Sequence, residues 1–390
     1  MSRTSRMGAF SVPTVTAGLL AAFVGFASTF AVIVQGLTRM GASPAQAASG
    51  LAAVTLAMGL AGIVLSLRFR MPISVAWSTP GAALLAATAT PAGGFPEAVG
   101  AFLVCGALLT LAGLFRPLAD LVRRIPGSLA AAMLAGVLTP LCLAPVKAAA
   151  LSPAFALPVI AVWAVTLRFN RLYAVPAALV AAALVAMFNH GPLPGAEALR
   201  FPLLLTPPAF APAAILGVAL PLAVVTMASQ NLPGFAVLKI NGYEPPPGPV
   251  LTTTGLFSLA GAPFGGHAVN LAAITAALCA GPEAHPDPAK RWGAAVVAGA
   301  VYVAMGLMAG AAAALIAAAP PSIIEAVAGL ALLPAFASAM RGALAEENER
   351  EAAVVTFLTA ASGVSIAGVG GAFWGLIAGG LMLALARLRP

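Results

Sequence analysis

The sequence predicts an all-α polytopic membrane protein, and its composition is the first reason. Of the 390 residues, 61% are hydrophobic and 8% are charged, whereas soluble domains carry about 25% charged residues. Lipid offers the backbone no hydrogen bonds, so a chain of this composition must satisfy its polar backbone groups within helices. The 40 glycines and 33 prolines indicate helices that pack closely and are interrupted. Composition excludes a soluble enzyme, a disordered chain and a secreted disulfide scaffold.

Apolar runs long enough to cross a bilayer, about 20 residues each, are the second observation. The first run is too long for a signal peptide, so we interpret it as a span. Three runs, 73–90, 249–261 and 263–280, are short or interrupted. The 14 expected spans are 13–37, 46–67, 73–90, 96–115, 126–143, 153–168, 173–189, 210–238, 249–261, 263–280, 293–318, 321–340, 352–367 and 370–387.

The positions of the basic residues support this number of spans. With the N-terminus inside, 16 of the 19 basic residues fall in inner segments, and only Arg39, Lys147 and Arg200 fall in outer ones. This asymmetry matches the positive-inside rule. Both termini are therefore expected on the cytoplasmic side. The basic residues form no run of five or more, so nucleic acid is not an expected partner.

Three internal matches at nearly constant offset predict two inverted repeats, 1–200 with spans 1–7 and 201–390 with spans 8–14. Seven spans in each half invert the second half relative to the first. Inverted repeats are typical of transporters and place the substrate site where the repeats meet. The matched segments are Gln35–Leu37 with Gln230–Leu232, Pro72–Thr79 with Pro263–Asn270, and Pro126–Pro140 with Pro320–Pro334.

The third and tenth spans carry the strongest signals for a site. Residues 73–77 favour an extended chain, Ser78 is a good N-cap, and Pro80 suits the first turn of a helix. In the tenth span, residues 263–266 are expected to be irregular, with a helix beginning between His267 and Asn270. Each span would then be part strand and part half-helix. Two helix N-termini meeting near mid-membrane favour an anion; the alternative is two proline-kinked packing helices.

These segments resemble the benzoate/proton symporter (BenE) family over essentially the whole chain. The resemblance implies the fold of the uracil/proton symporters, with 14 spans in a 7+7 inverted repeat. It also implies a core domain that moves against a gate domain, formed by spans 5–7 and 12–14, and a homodimer. The segments that carry the resemblance are Gln230–Gly234, Lys239–Tyr243, Gly265–Thr275 and Asp287–Trp292.

The chain departs from the nucleobase-transporting relatives at the site that the resemblance implies. Those relatives place an acidic residue on the eighth span and an acid–Asn pair on the tenth. Here the matching residues are Gln230, and Val269 followed by Asn270. Because carboxylates would repel a carboxylate substrate, a neutral site fits an anion better than a nucleobase.

The predicted substrate site combines polar residues of the third, eighth and tenth spans with aromatic residues of the first. His267 either carries the proton or donates to the substrate, or is a neutral structural histidine. Ser78 and Thr79 either only cap a helix or also bind the anion, and the two phenylalanines either line a slot or pack against lipid and core. Glu325 is a second candidate for proton coupling, unless it faces outer water. The candidates are Ser78, Thr79, Gln230, Asn231, His267, Asn270, Phe23 and Phe26.

Taken together, the sequence predicts a secondary transporter that imports benzoate or a related aromatic carboxylate with a proton across a bacterial inner membrane. The alternatives are a coupled or uncoupled transporter of another small organic anion or a nucleobase, including a channel-like uniporter. A membrane-embedded enzyme is disfavoured because hydrolytic motifs are absent, and no GxxxxGK[ST] loop indicates ATP. No cofactor or metal is expected, since Cys105, Cys142 and Cys279 are isolated in apolar surroundings.

Overall fold

Helices make up most of the computed structural model, which describes residues 8–115, 126–190, 201–272, 274–318, 320–367 and 369–387. Seven of the basic residues used to predict sidedness lie outside these ranges. They are Arg3, Arg6, Arg116, Arg123, Arg124, Arg200 and Arg389.

The elements of each half of the chain follow in order. The first half contains α1 (Val12–Arg39), α2 (Pro44–Phe69), β1 (Val75–Trp77), α3 (Thr79–Ala87), α4 (Phe95–Leu114), α5 (Gly127–Cys142), α6 (Ala144–Leu151), α7 (Pro153–Phe169) and α8 (Arg171–His190). The second half contains α9 (Pro212–Ile240), α10 (Pro247–Gly261), β2 (Val269–Leu271), α11 (Ile274–Ala280), α12 (Trp292–Leu307), α13 (Ala309–Ala318), α14 (Pro321–Ala343), α15 (Arg350–Ala361), β3 (Ser365–Ile366), β4 (Val369–Gly370) and α16 (Gly371–Arg387).

Six helical segments within the described ranges are long and apolar enough to cross a membrane: α1, α2, α4, the consecutive pair α5–α6, α9 and α14. Three more, in α7, α8 and α16, are apolar but shorter. The chain is therefore a multi-pass, mostly helical membrane protein, as its composition predicts. The finer number of 14 spans stays a prediction.

The third span has the predicted division into strand and half-helix. β1 is extended, Ser78 is the N-cap of α3, and Pro80 lies in its first turn. In the tenth span the predicted helix start was wrong, because α11 begins at Ile274 rather than between His267 and Asn270. The reason is the pairing of β2 with β1, which keeps the chain extended through Leu271.

Two other predicted spans differ from the structure. The expected helix 293–318 is divided at Met308 into α12 and α13. The expected helix 352–367 ends at Ala361, where Gly363 has a φ of +69°, and β3 and β4 then form a short antiparallel hairpin. Glycine enters this left-handed region without the steric strain of other residues, so the chain turns here instead of continuing as a helix.

The two-stranded sheet of β1 and β2 lies in the apolar interior, between α1, α2, α9 and α10. The strands are antiparallel, with Ala76 opposite Asn270. Each strand has one unpaired edge, and lipid-embedded backbone groups need partners within the protein. Three edge N–H groups find them on neighbouring helices: Trp77 on Met58 Sδ (3.2 Å), Val269 on Ser258 Oγ (2.9 Å) and Leu271 on Asn231 Oδ1 (2.9 Å).

Close helix packing surrounds the sheet. α2 and α12 approach each other at Gly59 and Gly299, where a Cβ on either residue would lie 2.7 Å from the carbonyl oxygen of the other. Only glycine permits this approach, which is the usual role of small residues between membrane helices. Among the later helices, α5 packs against α14 and α15, and α15 packs against α16.

Candidate functional site

Ser78 joins β1 to α3 and is completely buried. Its hydroxyl oxygen accepts hydrogen bonds from Gly81 N (3.2 Å) and from the Thr226 hydroxyl on α9 (2.9 Å). Its own N–H donates to Ala268 O (2.9 Å). Ser78 therefore caps α3 and connects it both to α9 and to Ala268, the residue before β2. These contacts support the capping role of Ser78.

His267 is also completely buried, and its ring connects the second half of the sheet to the start of α3. Nε2 lies 3.0 Å from Ser78 O, and a carbonyl oxygen only accepts, so Nε2 carries a hydrogen. The ring packs at an angle against Phe102 of α4, with 6.4 Å between centroids, and within the described residues Nδ1 has no hydrogen-bond partner. The geometry supports the structural alternative for this residue.

Asn231 and Gln230 lie in a π-helical turn of α9, Met227–Asn231. Asn231 accepts the edge N–H of Leu271 through Oδ1, and its Nδ2 contacts Met227 Sδ at 3.3 Å. Asn231 is completely buried, whereas Gln230 is partly exposed. π-helical turns recur at functional sites because they redirect side chains out of the regular helical rows. Here the turn directs Asn231 to the sheet.

Asn270 lies in β2, opposite Ala76, and is completely buried. With its amide oriented to satisfy both neighbours, it accepts from Ser78 N (3.2 Å) and donates to Leu271 O (2.9 Å). Asn270 and Asn231 thus both bond to the backbone of the broken spans. The remaining candidates at this point, Thr79 and Gln230, are partly exposed.

Aromatic rings lie beside the start of α3. Phe26 packs against Trp77 (centroids 5.3 Å apart, 51° between planes) and stacks on Phe30 (5.3 Å, 13°). The Trp77 indole N–H donates to the Thr29 hydroxyl (2.9 Å). Phe23 is 49% exposed, whereas Phe26 is 8% exposed, so the two predicted phenylalanines lie in different environments. Of these two residues, Phe26 is the one that contacts β1, through Trp77.

Three contacts at this centre were missed by the sequence reasoning: Thr226 with Ser78, Trp77 with Phe26, and Thr29 with Trp77. Thr226 lies one helical turn before Gln230, so it shares that face of α9, and this spacing was an available signal. Trp77 and Thr29 had no comparable local signal, because their contact depends on how α1 packs against β1.

Acidic side chains lie away from this centre. Of the eleven acids in the chain, Asp120 and Glu197 are outside the described ranges; the others lie in loops or in the first two turns of helices. Glu325 is exposed in the second turn of α14. The carboxylate of Glu349 accepts a hydrogen bond from the buried Ser128 hydroxyl. The positive N-terminus of α5 accounts for that position.

The segments Lys239–Tyr243 and Asp287–Trp292 meet near the C-terminal end of α11. Tyr243 donates its hydroxyl to Pro288 O (2.7 Å), and burial raises the pKa of Tyr243 above its ordinary value. The buried Arg291 donates to His285 O (2.8 Å) and to Ala280 O (2.9 Å), the last residue of α11. A cation at a helix C-terminus is stabilising. Within the described residues, no cluster of His, Cys, Asp and Glu could hold a metal.

The fold is similar to that of solved anion transporters. The transmembrane domain of the cyanobacterial bicarbonate transporter BicA has a TM-score of 0.60 and 17% identity, covering 96% of this chain and 97% of that one. The structure of SLC26A9 gives a TM-score of 0.58 at 13% identity, covering 95% of this chain and 65% of that one. At these identities the similarity establishes the fold alone.

Two relatives are similar in sequence over nearly their whole length. The inner membrane protein YdcO of Escherichia coli (strain K12) is 45% identical over 98% of both chains. The benzoate membrane transport protein of Acinetobacter baylyi (strain ATCC 33305 / BD413 / ADP1) is 33% identical, covering 95% of this chain and 94% of that one. A family model described as BenE, benzoate membrane transport protein, matches residues 8–385. The chain therefore belongs to the BenE family of membrane transport proteins.

Proposed function

We propose that this protein is a secondary transporter that imports benzoate, or a closely related aromatic carboxylate, together with a proton across a bacterial inner membrane. The observation that carries the proposal is a neutral polar centre at the start of α3, inside a membrane protein. Family membership supports the transport class, and the benzoate transport protein and the inner membrane protein among its relatives support the substrate and the location.

The charge of the centre favours an anion. α3 begins directly after β1, so the positive end of its dipole faces the site. Thr79, the first residue of α3, and Gln230 supply a hydroxyl and an amide rather than carboxylates. A carboxylate substrate would interact favourably with these donors. A nucleobase would instead lack the acidic acceptors that its N–H groups need.

The aromatic ring of the substrate needs apolar surroundings next to these donors. Phe26 and Trp77 provide them, because their rings touch and Trp77 lies two residues before Thr79. Aromatic pairs of this kind favour a further ring in an offset or edge-to-face arrangement. Phe23 and Glu325 are predicted site residues that stand outside this arrangement by their exposure, and we do not include them in the proposed binding site.

Proton coupling makes import of the anion electrically neutral. Without a proton, a membrane potential that is negative inside would oppose each charge by about 2.3 kcal/mol per 100 mV. The sequence offered His267 and Glu325 as proton carriers, and a substrate that crosses as the neutral acid needs neither; Glu325 is exposed, away from the centre. Because Nε2 of His267 is engaged with Ser78 O, we propose that the proton crosses on the substrate.

The movement that exposes the site alternately to the two sides is also a proposal. The gate domain would contain α5–α8 and α14–α16, and the core domain the remaining helices with the sheet. Two features support the inverted repeat: β1 and β2 pair antiparallel, and the matched helices α5 and α14 both begin after the matched prolines, Pro126 and Pro320. Cytoplasmic termini and a homodimer rest on the sequence and the family resemblance.

Ligand-induced stabilisation of the purified protein tests the substrate class. A ligand that binds only the folded state raises the melting temperature as its concentration exceeds Kd. Benzoate should raise it in a saturable manner, whereas uracil and cyclohexanol, which lack the carboxylate, should not. Stabilisation by uracil but not by benzoate would contradict the proposal, and bicarbonate serves as a test for a smaller anion without a ring.

A further inference from the structure

The outer edge of β1 faces α2 and contains an unusual gap. Hydrogen bonds to β2 alternate along the strand, so the N–H groups of Val75 and Trp77 both point towards α2. Trp77 N–H meets the sulfur of Met58 (3.2 Å). Four residues further along the same face of α2 is Gly62, which has no side chain to meet Val75 N–H.

A small, partly open cavity lies at this gap, with room for a single water molecule. It is walled by α2, β1, α11 and α12, on the edge of the sheet away from α9. Three hydroxyl-bearing side chains line it: Ser74, Thr275 and Tyr302, which are 5%, 6% and 3% exposed. The other lining residues are Met58, Gly62, Val75, Ala295, Ala298 and Gly299.

The hydroxyls around the cavity can form further hydrogen bonds. Within the described residues, neither Ser74 Oγ nor Thr275 Oγ1 has a hydrogen-bond partner at good distance and angle; the Cys279 thiol and the Tyr302 hydroxyl are their polar neighbours. The Tyr302 hydroxyl lies close to Thr275 and donates to Ala21 O (3.3 Å), which leaves its oxygen free to accept. Buried polar groups without partners are costly, especially in a membrane protein.

We propose that this cavity binds one structural water molecule, which completes the edge of β1 and connects the strand to α11 and α12. The water accepts from Val75 N–H and from one hydroxyl, and donates to two of the three hydroxyl oxygens. Buried waters of this kind make roughly two to four hydrogen bonds. A cation fits less well, because the cavity is lined by no carboxylate and a hard cation takes six or more oxygen ligands.

The substitution Gly62→Ala tests the proposal by the sign of its effect. A Cβ on Gly62 would make ordinary contacts of 3.7 Å with Val75 N and Cβ, so the methyl group fits but takes the space of the water. The water site predicts that Gly62→Ala lowers the apparent melting temperature by about 2 °C or more. A dry cavity predicts the reverse, because filling it and replacing a helical glycine both stabilise, and a rise would overturn the proposal.

Gly380→Ala is the matched control. Gly380 lies in α16, and a Cβ there would meet nothing within 4 Å, so this variant reports the helix-propensity gain alone. A second arm uses Ser74→Ala/Thr275→Val, which removes two partners of the water. In that background the penalty of Gly62→Ala should disappear, and an unchanged penalty would contradict the proposal.

Melting in sodium and in choline chloride distinguishes water from a cation. The water site predicts equal melting temperatures for the wild type in both salts. Stabilisation by sodium that Gly62→Ala abolishes would overturn it. Because the cavity lies on the far side of the sheet from α9, these results do not depend on which substrate the protein transports.

Discussion

At the residue scale, the polar side chains around the sheet divide into two groups. Ser78, Asn231 and Asn270 bond to the backbone of the broken spans, whereas Thr79 and Gln230 are partly exposed. The first group holds the backbone of the centre, and the second group is the one that we propose contacts the substrate. Substitutions in the two groups should therefore have different effects, on stability in the first and on affinity in the second.

Gln230→Glu should weaken binding of the aromatic carboxylate strongly. Two like charges about 6 Å apart at an effective dielectric constant of about 20 repel by about 3 kcal/mol, which is on the order of 100-fold in Kd. The KM of benzoate uptake measures the effect. Gln230→Leu is the control, because it removes the amide without adding charge and should weaken binding much less. Equal KM values for the two variants would show that charge at this position is irrelevant.

His267→Gln should retain proton-driven uptake, because a glutamine amide can still donate to Ser78 O. His267→Phe removes the donor and should lower the free energy of unfolding by about 1 kcal/mol. Thermal melting and gradient-driven uptake are measured on both variants. If His267→Gln folds normally but no longer responds to the pH gradient, His267 is the proton carrier and the structural role proposed for it is wrong.

At the element scale, the sequence predicted local signals well and distant pairings poorly. Ser78 and Pro80 act within their own helix turn, and the predicted start of α3 was confirmed. The start of α11 was misplaced because β2 is extended by pairing with a strand about 190 residues away, which no local pattern reveals. The internal bonds of Asn231 and His267 also depend on this pairing, so their residue types indicated a polar centre but not their partners.

Two residues of α10 allow a matched test of how much the hydrogen bonds at the sheet edge stabilise the protein. Ser258→Ala leaves Val269 N–H without its acceptor in the apolar interior and should lower the free energy of unfolding by about 1–3 kcal/mol. Thr253→Ala, on the exposed side of the same helix, is the control and should change it by less than about 0.5 kcal/mol. Chemical or thermal unfolding in detergent compares them. Equal losses would mean that the Ser258–Val269 bond does not stabilise the sheet.

At the scale of the whole molecule, the proposed gate and core domains contact each other at several places, among them α3 with α5 and α1 with α14. Gly370, at the end of the β3–β4 hairpin, lies beside Thr88, at the end of α3: a Cβ on Gly370 would be 3.8 Å from the Thr88 methyl carbon. This hairpin was not foreseen from the sequence, because the expected helices 352–367 and 370–387 left only two residues between them. If the two domains move relative to each other during transport, this contact must separate.

The double variant Thr88→Cys/Gly370→Cys should therefore form a disulfide under oxidation, because a side-chain carbon of Thr88 lies 3.8 Å from the position of a Cβ on residue 370. The cross-linked protein should lose at least about 90% of its benzoate uptake, a tenfold effect, and recover it after reduction. Each single variant is a control, and the native Cys105 and Cys279 are buried. Full transport by the cross-linked protein would show that the domain assignment is incorrect.

The most direct test of the central claim is the initial rate of labelled benzoate uptake into proteoliposomes, with the pH gradient and the membrane potential imposed separately. Protein-free vesicles correct for passive entry of benzoic acid. Electroneutral proton symport predicts a rate that rises when the outside is made acidic and that does not change when the potential is varied. A rate that ignores the pH gradient and increases with an inside-positive potential would contradict it and indicate uniport of the anion.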